Sequence, residues 1–116
     1  MAMNADILSS LQYKNLLLDF YGDLLTDKQK HIYAMSVAED CSFAEIGNAY
    51  DITPQAVADS IKRANRQLEK FEETLGLVAI SITQQQAVAD IESALADLDS
   101  QDCASRIRNI VEKLLL

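Results

Sequence analysis

The sequence predicts an all-α fold, a four-helix unit followed by a C-terminal helical hairpin, and three observations point to it. Apolar residues recur at spacings of three and four along nearly the whole chain. Three times a Ser or Thr stands three residues before a Gln or Glu at the start of such a stretch: Thr26 with Gln29, Ser42 with Glu45, Thr83 with Gln86. The 116 residues hold one Pro and three Gly, too few to punctuate a many-stranded sandwich or barrel.

The first helix is expected from Ile7 to Leu25, with Tyr13, Leu17, Phe20 and Leu24 on one stripe and Leu18, Tyr21 and Leu25 on the next. So wide an apolar face calls for partners on more than one side, and Gly22 is the expected stop. Thr26 caps a second helix to Ala38, Asp27 in its first turn suits the helix dipole, and Ile32 and Met35 face inward. Ser42 caps a short third helix, Phe43 to Tyr50, whose apolar face is Phe43, Ile46 and Tyr50 with small Gly47 beside them. Asp51-Ile52 is the turn. Thr53 as cap and Pro54 at the first helical position open a fourth helix that ends near Gly76. Along it Val57, Ile61, Ala64, Leu68, Phe71 and Leu75 form a heptad-like stripe about 33 Å long at 1.5 Å per residue.

Leu77 to Ile82 reads as helix, extended link or packed loop. Beyond it Thr83 is expected to cap a fifth helix with Val88, Ile91, Leu95 and Leu98 inward. Ser100 is expected to cap a sixth, with Cys103, Ile107, Ile110, Val111 and Leu114 inward and Asp99-Ser100 as the hairpin turn. The chain thus divides into a helix-bearing domain at residues 1–76 and a hairpin at 77–116.

The formal net charge is −8, which disfavours non-specific nucleic-acid binding when taken alone. Its distribution is uneven: residues 1–53 carry −5 and residues 75–116 carry −3, whereas residues 54–74 are neutral, with their basic residues bunched. No apolar run approaches the length of a membrane span. Asp6 and the lack of a basic N-terminal region give no signal peptide, so the expectation is a cytoplasmic chain with Cys41 and Cys103 reduced and small enough to be buried.

The informative unit runs from Ser42 to Arg66: a short helix, a tight turn and a second helix, the helix-turn-helix arrangement. Gly47 supplies the small residue where the helices cross, and Asp51 tolerates the positive φ of the turn. Ile46, Ile52, Val57 and Ile61 can fill the small core. The second helix offers Gln55, Ala58, Asp59, Lys62, Arg63 and Arg66 outward, with Thr53 at its start. Gln can read an adenine edge, and Lys or Arg can meet phosphate or guanine. The competing reading is plain helical packing, with these residues a solvated, charge-laced face.

Four pieces carry a resemblance: DFYGDLLTDKQ at Asp19 to Gln29, SFAEIG at Ser42 to Gly47, QAV at Gln55 to Val57 and SIKRA at Ser60 to Ala64. In order and spacing they resemble the YlxM family of small bacterial proteins over roughly Leu16 to Leu77, and the helix-turn-helix portion is similar to region 4 of sigma factors. The resemblance implies a sigma-region-4-like bundle, DNA or RNA binding, and a part in the signal recognition particle pathway alongside its components. The chain departs from the family pattern with Asp51 where the turn usually has Gly, with Pro54 where a basic residue usually opens the recognition helix, and after Leu77. The Pro54 change removes one expected phosphate contact. The alternative is a protein-interaction module of that pathway that does not read DNA.

Enzyme chemistry finds no support. His31 is the only His, it lacks ligand spacing to Cys41, and neither phosphate-binding glycine motif occurs, so no catalytic residue, metal or cofactor is expected. The long apolar stripe and the hairpin stripes exceed what one small chain readily covers, which points to a homodimer.

Overall fold

The structure, a computed structural model, describes residues 9–97 and 101–114, and every regular element among them is helical. The helices are α1 (Ser10–Tyr21), α2 (Asp27–Val37), α3 (Phe43–Tyr50), α4 (Pro54–Leu75), α5 (Leu77–Leu95) and α6 (Gln101–Glu112), with a 3₁₀ turn at Gly22–Leu24. The described residues fall into two compact units that part after Val78.

In the first unit α1 is shorter than expected at both ends. The Ser9 hydroxyl accepts from the Gln12 amide and the Gln12 side chain accepts from the Ser9 amide, a capping box that starts the helix at Ser10. Residues 7 and 8 lie outside the described residues. Gly22 is the C-cap of α1, the expected stop, in the right-handed region (φ −57°), and from it the chain tightens into the 3₁₀ turn. The tighter turn breaks the expected stripe: Leu17, Tyr21 and Leu25 are buried, while Leu24 is 58% exposed.

Thr26 and Gln29 form the expected box at the head of α2, which ends at Val37, one residue early. Its C-terminal Val37 carbonyl accepts from Asn15 Nδ2 of α1 at 3.1 Å. Ile32 is buried and Met35 half-buried, with Tyr33 and Val37 also buried.

Ser42 and Glu45 cap α3, and backbone and side-chain hydrogen bonds from Ser42 hold the Glu45 carboxyl below its usual range. Phe43 lies outside the expected apolar face, 43% exposed, because it opens the helix before the chain has turned onto the core. Asp51 takes the left-handed conformation (φ 55°, ψ 46°). The Ile52 amide donates to the Gly47 carbonyl at 3.0 Å. The chain doubles back so closely that a Cβ on Gly47 would stand 2.5 Å from the Ile52 carbonyl oxygen. Buried Ile32, Ile46 and Val57 make the small core here, with Met35, Cys41, Tyr50, Ile52 and Ile61 packed on it. Gly47→Ala is therefore expected to destabilise the unit by about 1–3 kcal/mol through backbone overpacking, read as a lower urea midpoint.

Thr53 caps α4 by accepting from the Ala56 amide at 3.1 Å, Pro54 fills the first turn, and Gly76 in the left-handed region (φ 66°) ends it. Val57, Ala64 and Leu68 of the stripe are buried, Ile61 and Phe71 half-buried, and Leu75 exposed. α4 packs on α1, α2 and α3. The stripe is thus covered inside the chain as far as Phe71, whose ring lies 6.0 Å from that of Tyr21. Tyr13 donates to Glu69 at 3.0 Å, Tyr21 to Glu72 at 2.6 Å, and Tyr33 to Asn65 Oδ1 at 2.9 Å. Tyr21 Oη and Glu72 Oε1 in turn accept from the Leu77 and Val78 amides, capping α5.

These contacts set an alkaline limit. Burial and then the Glu72 hydrogen bond push Tyr21 up to about 12; burial and then the Glu69 charge push Tyr33 up to about 12. Burial and Glu69 raise Tyr13 as well. A phenol whose folded pKa exceeds its unfolded value near 10 stabilises fully below about pH 10, and the contribution is lost as pH climbs through about 12. The urea midpoint should hold to about pH 10 and fall above it, with phenolate absorbance rising late. A midpoint that rises over that interval would contradict the arrangement.

In the second unit the segment left open by the sequence is helical, and Thr83 is no cap. Its hydroxyl donates to the Ala79 carbonyl at 3.1 Å, four residues back, in mid-helix. Leu95, Ile82, Ser81 and Ala104 are buried, and Val88, Ile107 and Val111 half-buried. Cys103, Ile110 and Leu114 are exposed, against expectation, and Ile91 marginally so. On α6 small Ala104 is the buried residue. Leu98 and the Asp99-Ser100 turn lie outside the described residues. No helix among the described residues is long and apolar enough to cross a membrane.

Candidate nucleic-acid interface

The capped turn between α3 and α4 fixes where the first turns of α4 project. Thr53 is exposed, but its hydroxyl is occupied by the cap. Gln55 and Asp59 are exposed and joined, Gln55 Nε2 donating to Asp59 Oδ1 at 3.2 Å. Ala58 is half-buried. Lys62, Arg63 and Arg66 are exposed, and no carboxylate among the described residues lies within ion-pair distance of them. At about 100° per residue Gln55, Asp59, Lys62, Arg63 and Arg66 share the side of α4 opposite Val57, Ala64 and Leu68, while Ala58 stands at its margin and Thr53 precedes the helix.

Two clefts flank this face. One, towards α2, is lined by Lys28, Gln29, Ser60 and Arg63 together with Thr26, Ile52 and Ala56. The other, towards α1, is lined by Lys14, Ile61, Lys62, Asn65 and Arg66. Neither has a carboxylate in its lining. Tyr33 holds Asn65 by Oδ1, so the end of this amide that the phenol leaves is the donor nitrogen. Lys30, by contrast, is spent on Asp23: the pair raises the lysine and lowers the aspartate. Lys14 and Lys28 were not among the sequence-derived candidates. They belong to other helices, and only the packing of α1 and α2 on α4 brings them beside Lys62 and Arg63.

His31 is exposed and Cys41 half-buried, and no group of His, Cys, Asp or Glu among the described residues could hold a metal ion. Burial, then Glu45, Glu39 and Asp40, push the Cys41 thiol up, away from a reactive thiolate.

Comparison with known proteins agrees with the architecture. The family described as "Putative helix-turn-helix protein, YlxM / p13 like" (UPF0122) matches residues 8–110. The match runs through α5 and most of α6, so the segment after Leu77, which reads from sequence as a departure, is part of the family pattern. A UPF0122 protein of Desulforamulus reducens is 35% identical over 104 residues, covering 87% of this chain and 89% of its own. One from Shouchella clausii is 34% identical over 100 residues, 86% of this chain and 92% of its own. One from a Thermoanaerobacter species reaches 53% over 66 residues, 57% of this chain and 56% of its own. The match over residues 8–110 and the relatives of 34–35% identity along most of the chain place it in the UPF0122 family of YlxM / p13-like helix-turn-helix proteins.

Proposed function

We propose that this chain is a non-enzymatic, cytoplasmic regulator that docks the exposed face of α4 on nucleic acid. Thr53, Gln55, Ala58, Asp59, Lys62, Arg63 and Arg66 form the recognition surface, within a helix-turn-helix domain at residues 1–76 that is followed by the hairpin at 77–116. One observation carries it: in a chain of net charge −8, five of the ten basic residues line the two clefts beside this face, with no carboxylate in either lining. Such local concentration of cations is what phosphate neutralisation requires. The resemblance to the YlxM family supports the signal recognition particle pathway as the setting and its components as partners. A homodimer closing the exposed Ile110 and Leu114 of the hairpin is the assembly proposed, and sedimentation equilibrium reads it directly.

The test is fluorescence anisotropy of a short labelled duplex between about 50 and 200 mM salt. Three or more phosphate contacts give a log–log slope of about −2.7 or steeper at ~0.9 per contact. Binding that ignores salt, or none at the lowest salt, favours the protein-interaction module, to which the net charge and Pro54 also point.

A further inference from the structure

We infer that the hairpin of α5 and α6 is closed by the hairpin of a second copy of this chain, stacked face to face about a two-fold axis parallel to the helices, so that α5 of each copy lies on α6 of the other. The inference rests on the homodimer proposed above and adds its surface and its pairing.

The surface is an apolar face that the hairpin leaves open. Gln84 Nε2 donates to the Leu114 carbonyl at 3.4 Å, which places the end of α6 level with the middle of α5. Beside this contact a cleft is lined by Ala87, Val88 and Ile91 from α5 and by Val111 and Leu114. A second cleft, lined by Ala79, Ile80 and Thr83, shares Gln84 with the first and carries the surface toward the head of α5. At about 100° per residue the exposed Ile80, Ala87, Ile91 and Ala94 fall within about 60° of one another. Across the cleft Leu114 is 71% exposed, and Ile110, one turn earlier on the same side of α6, is 62% exposed. A contiguous exposed apolar face rimmed by charge marks an interaction surface.

The charges say what covers it. On the α5 edge stands Asp90, about 60° round from Ala87, and α5 holds no Lys or Arg. On the α6 edge stand Arg106 and Lys113, about 40° and 60° round from Ile110, with Asp102 further round at the head of the helix. Asp90 accepts from Gln86 Nε2 of its own helix, and neither it nor Arg106 nor Lys113 has an ion pair among the described residues. The face is therefore acidic along one edge and basic along the other, and complementary to a second copy of itself. A two-fold axis running across the helices would lay α5 on α5 and set Asp90 against Asp90. An axis running along them lays α5 on the partner's α6, acidic edge over basic edge, with every neighbouring pair of helices antiparallel as in a four-helix bundle.

The heights agree with the second axis, which leaves each residue at its own level. Counted at 1.5 Å per residue from the contact of Gln84 with Leu114, Asp90 stands about 3 Å from the level of Arg106. Ile110 stands about 1.5 Å from the level of Ala87, so the large exposed side chain of one copy meets a small one of the other.

The experiment is sedimentation equilibrium of the full-length protein at low and moderate salt. The variants are Ile110→Asp, Asp90→Arg, Arg106→Asp and the last two combined. All three side chains are exposed, and circular dichroism confirms that each variant is folded. The parent should associate to two chains and Ile110→Asp should remain one. Each single reversal should weaken association about tenfold, because the lesion occurs twice across the two-fold, and the combined variant should recover most of the loss. Salt should shrink these differences. A dimer abolished by Ile110→Asp but unmoved by either reversal, or not restored by the combination, overturns the pairing of α5 with α6 while the homodimer through the hairpin stands. A dimer that survives Ile110→Asp places the contact elsewhere and overturns the hairpin surface. A parent that stays a single chain throughout the micromolar range overturns the homodimer and this pairing together, and leaves the face to a different protein.

Discussion

Leu68→Asp is expected to leave residues 9–78 without a cooperative unfolding transition at room temperature. Leu68 is fully buried on α4, inside the chain's own helices. Removing a buried leucine side chain costs about 2–5 kcal/mol, and an unpaired carboxylate in its place adds several more. The total, about 5 kcal/mol or more, equals the stability of a typical small domain. Far-ultraviolet circular dichroism should therefore show loss of helix. A variant that keeps its helix and its cooperative melting while merely changing sedimentation mass would place Leu68 in a seam between chains instead. Leu75, at the exposed end of the same stripe, gives the contrast: Leu75→Asp should cost less than about 1 kcal/mol.

Replacing Lys62, Arg63 and Arg66 together with Ala should weaken duplex binding at about 100 mM salt by two orders of magnitude or more, about 1 kcal/mol per lost contact, and flatten its salt dependence by about 2.7 slope units. All three side chains are exposed and none is within ion-pair distance of a carboxylate among the described residues, so the melting temperature should change little. Full affinity retained by this variant would remove the three residues from the interface.

The half of the fold that positions the interface was legible in the sequence because its helix ends are written in local chemistry. Thr26 with Gln29, Ser42 with Glu45, and Thr53 with Pro54 each satisfy backbone donors within a few residues, so no tertiary information is needed to place them. Asp51 and Gly76 mark two of the three left-handed positions among the described residues in the same way; the third, Asp40 after α2, carried no such reading. Thr83 with Gln86 shows the limit of such signals. A cap requires the preceding chain to leave the helix, and Leu77 to Ile82 contains no residue that forces it out, so the Thr83 hydroxyl bonds backwards instead. In the hairpin, apolar periodicity marks helices without saying how much of each stripe a single partner helix can cover, which is why Ile110 and Leu114 were misplaced.

The recognition face was legible as a run of outward positions on one helix. Its flanking clefts were not. Lys14 and Lys28 sit on helices that precede the helix-turn-helix, and nothing in their local sequence distinguishes them from Lys30, which the structure pairs with Asp23. The phenol contacts of Tyr13, Tyr21 and Tyr33 are equally non-local, and they explain how a stripe that seems too long for one chain finds its cover in α1 and α2.

Amide chemical-shift mapping of the ¹⁵N-labelled protein on addition of a short DNA duplex tests the central claim most directly. The account predicts that the largest shifts fall on Thr53 to Arg66, with smaller ones at Lys14 and at Lys28 and Gln29, and that those fade as salt is raised. Shifts concentrated in α5 and α6, or none at low salt, would contradict it.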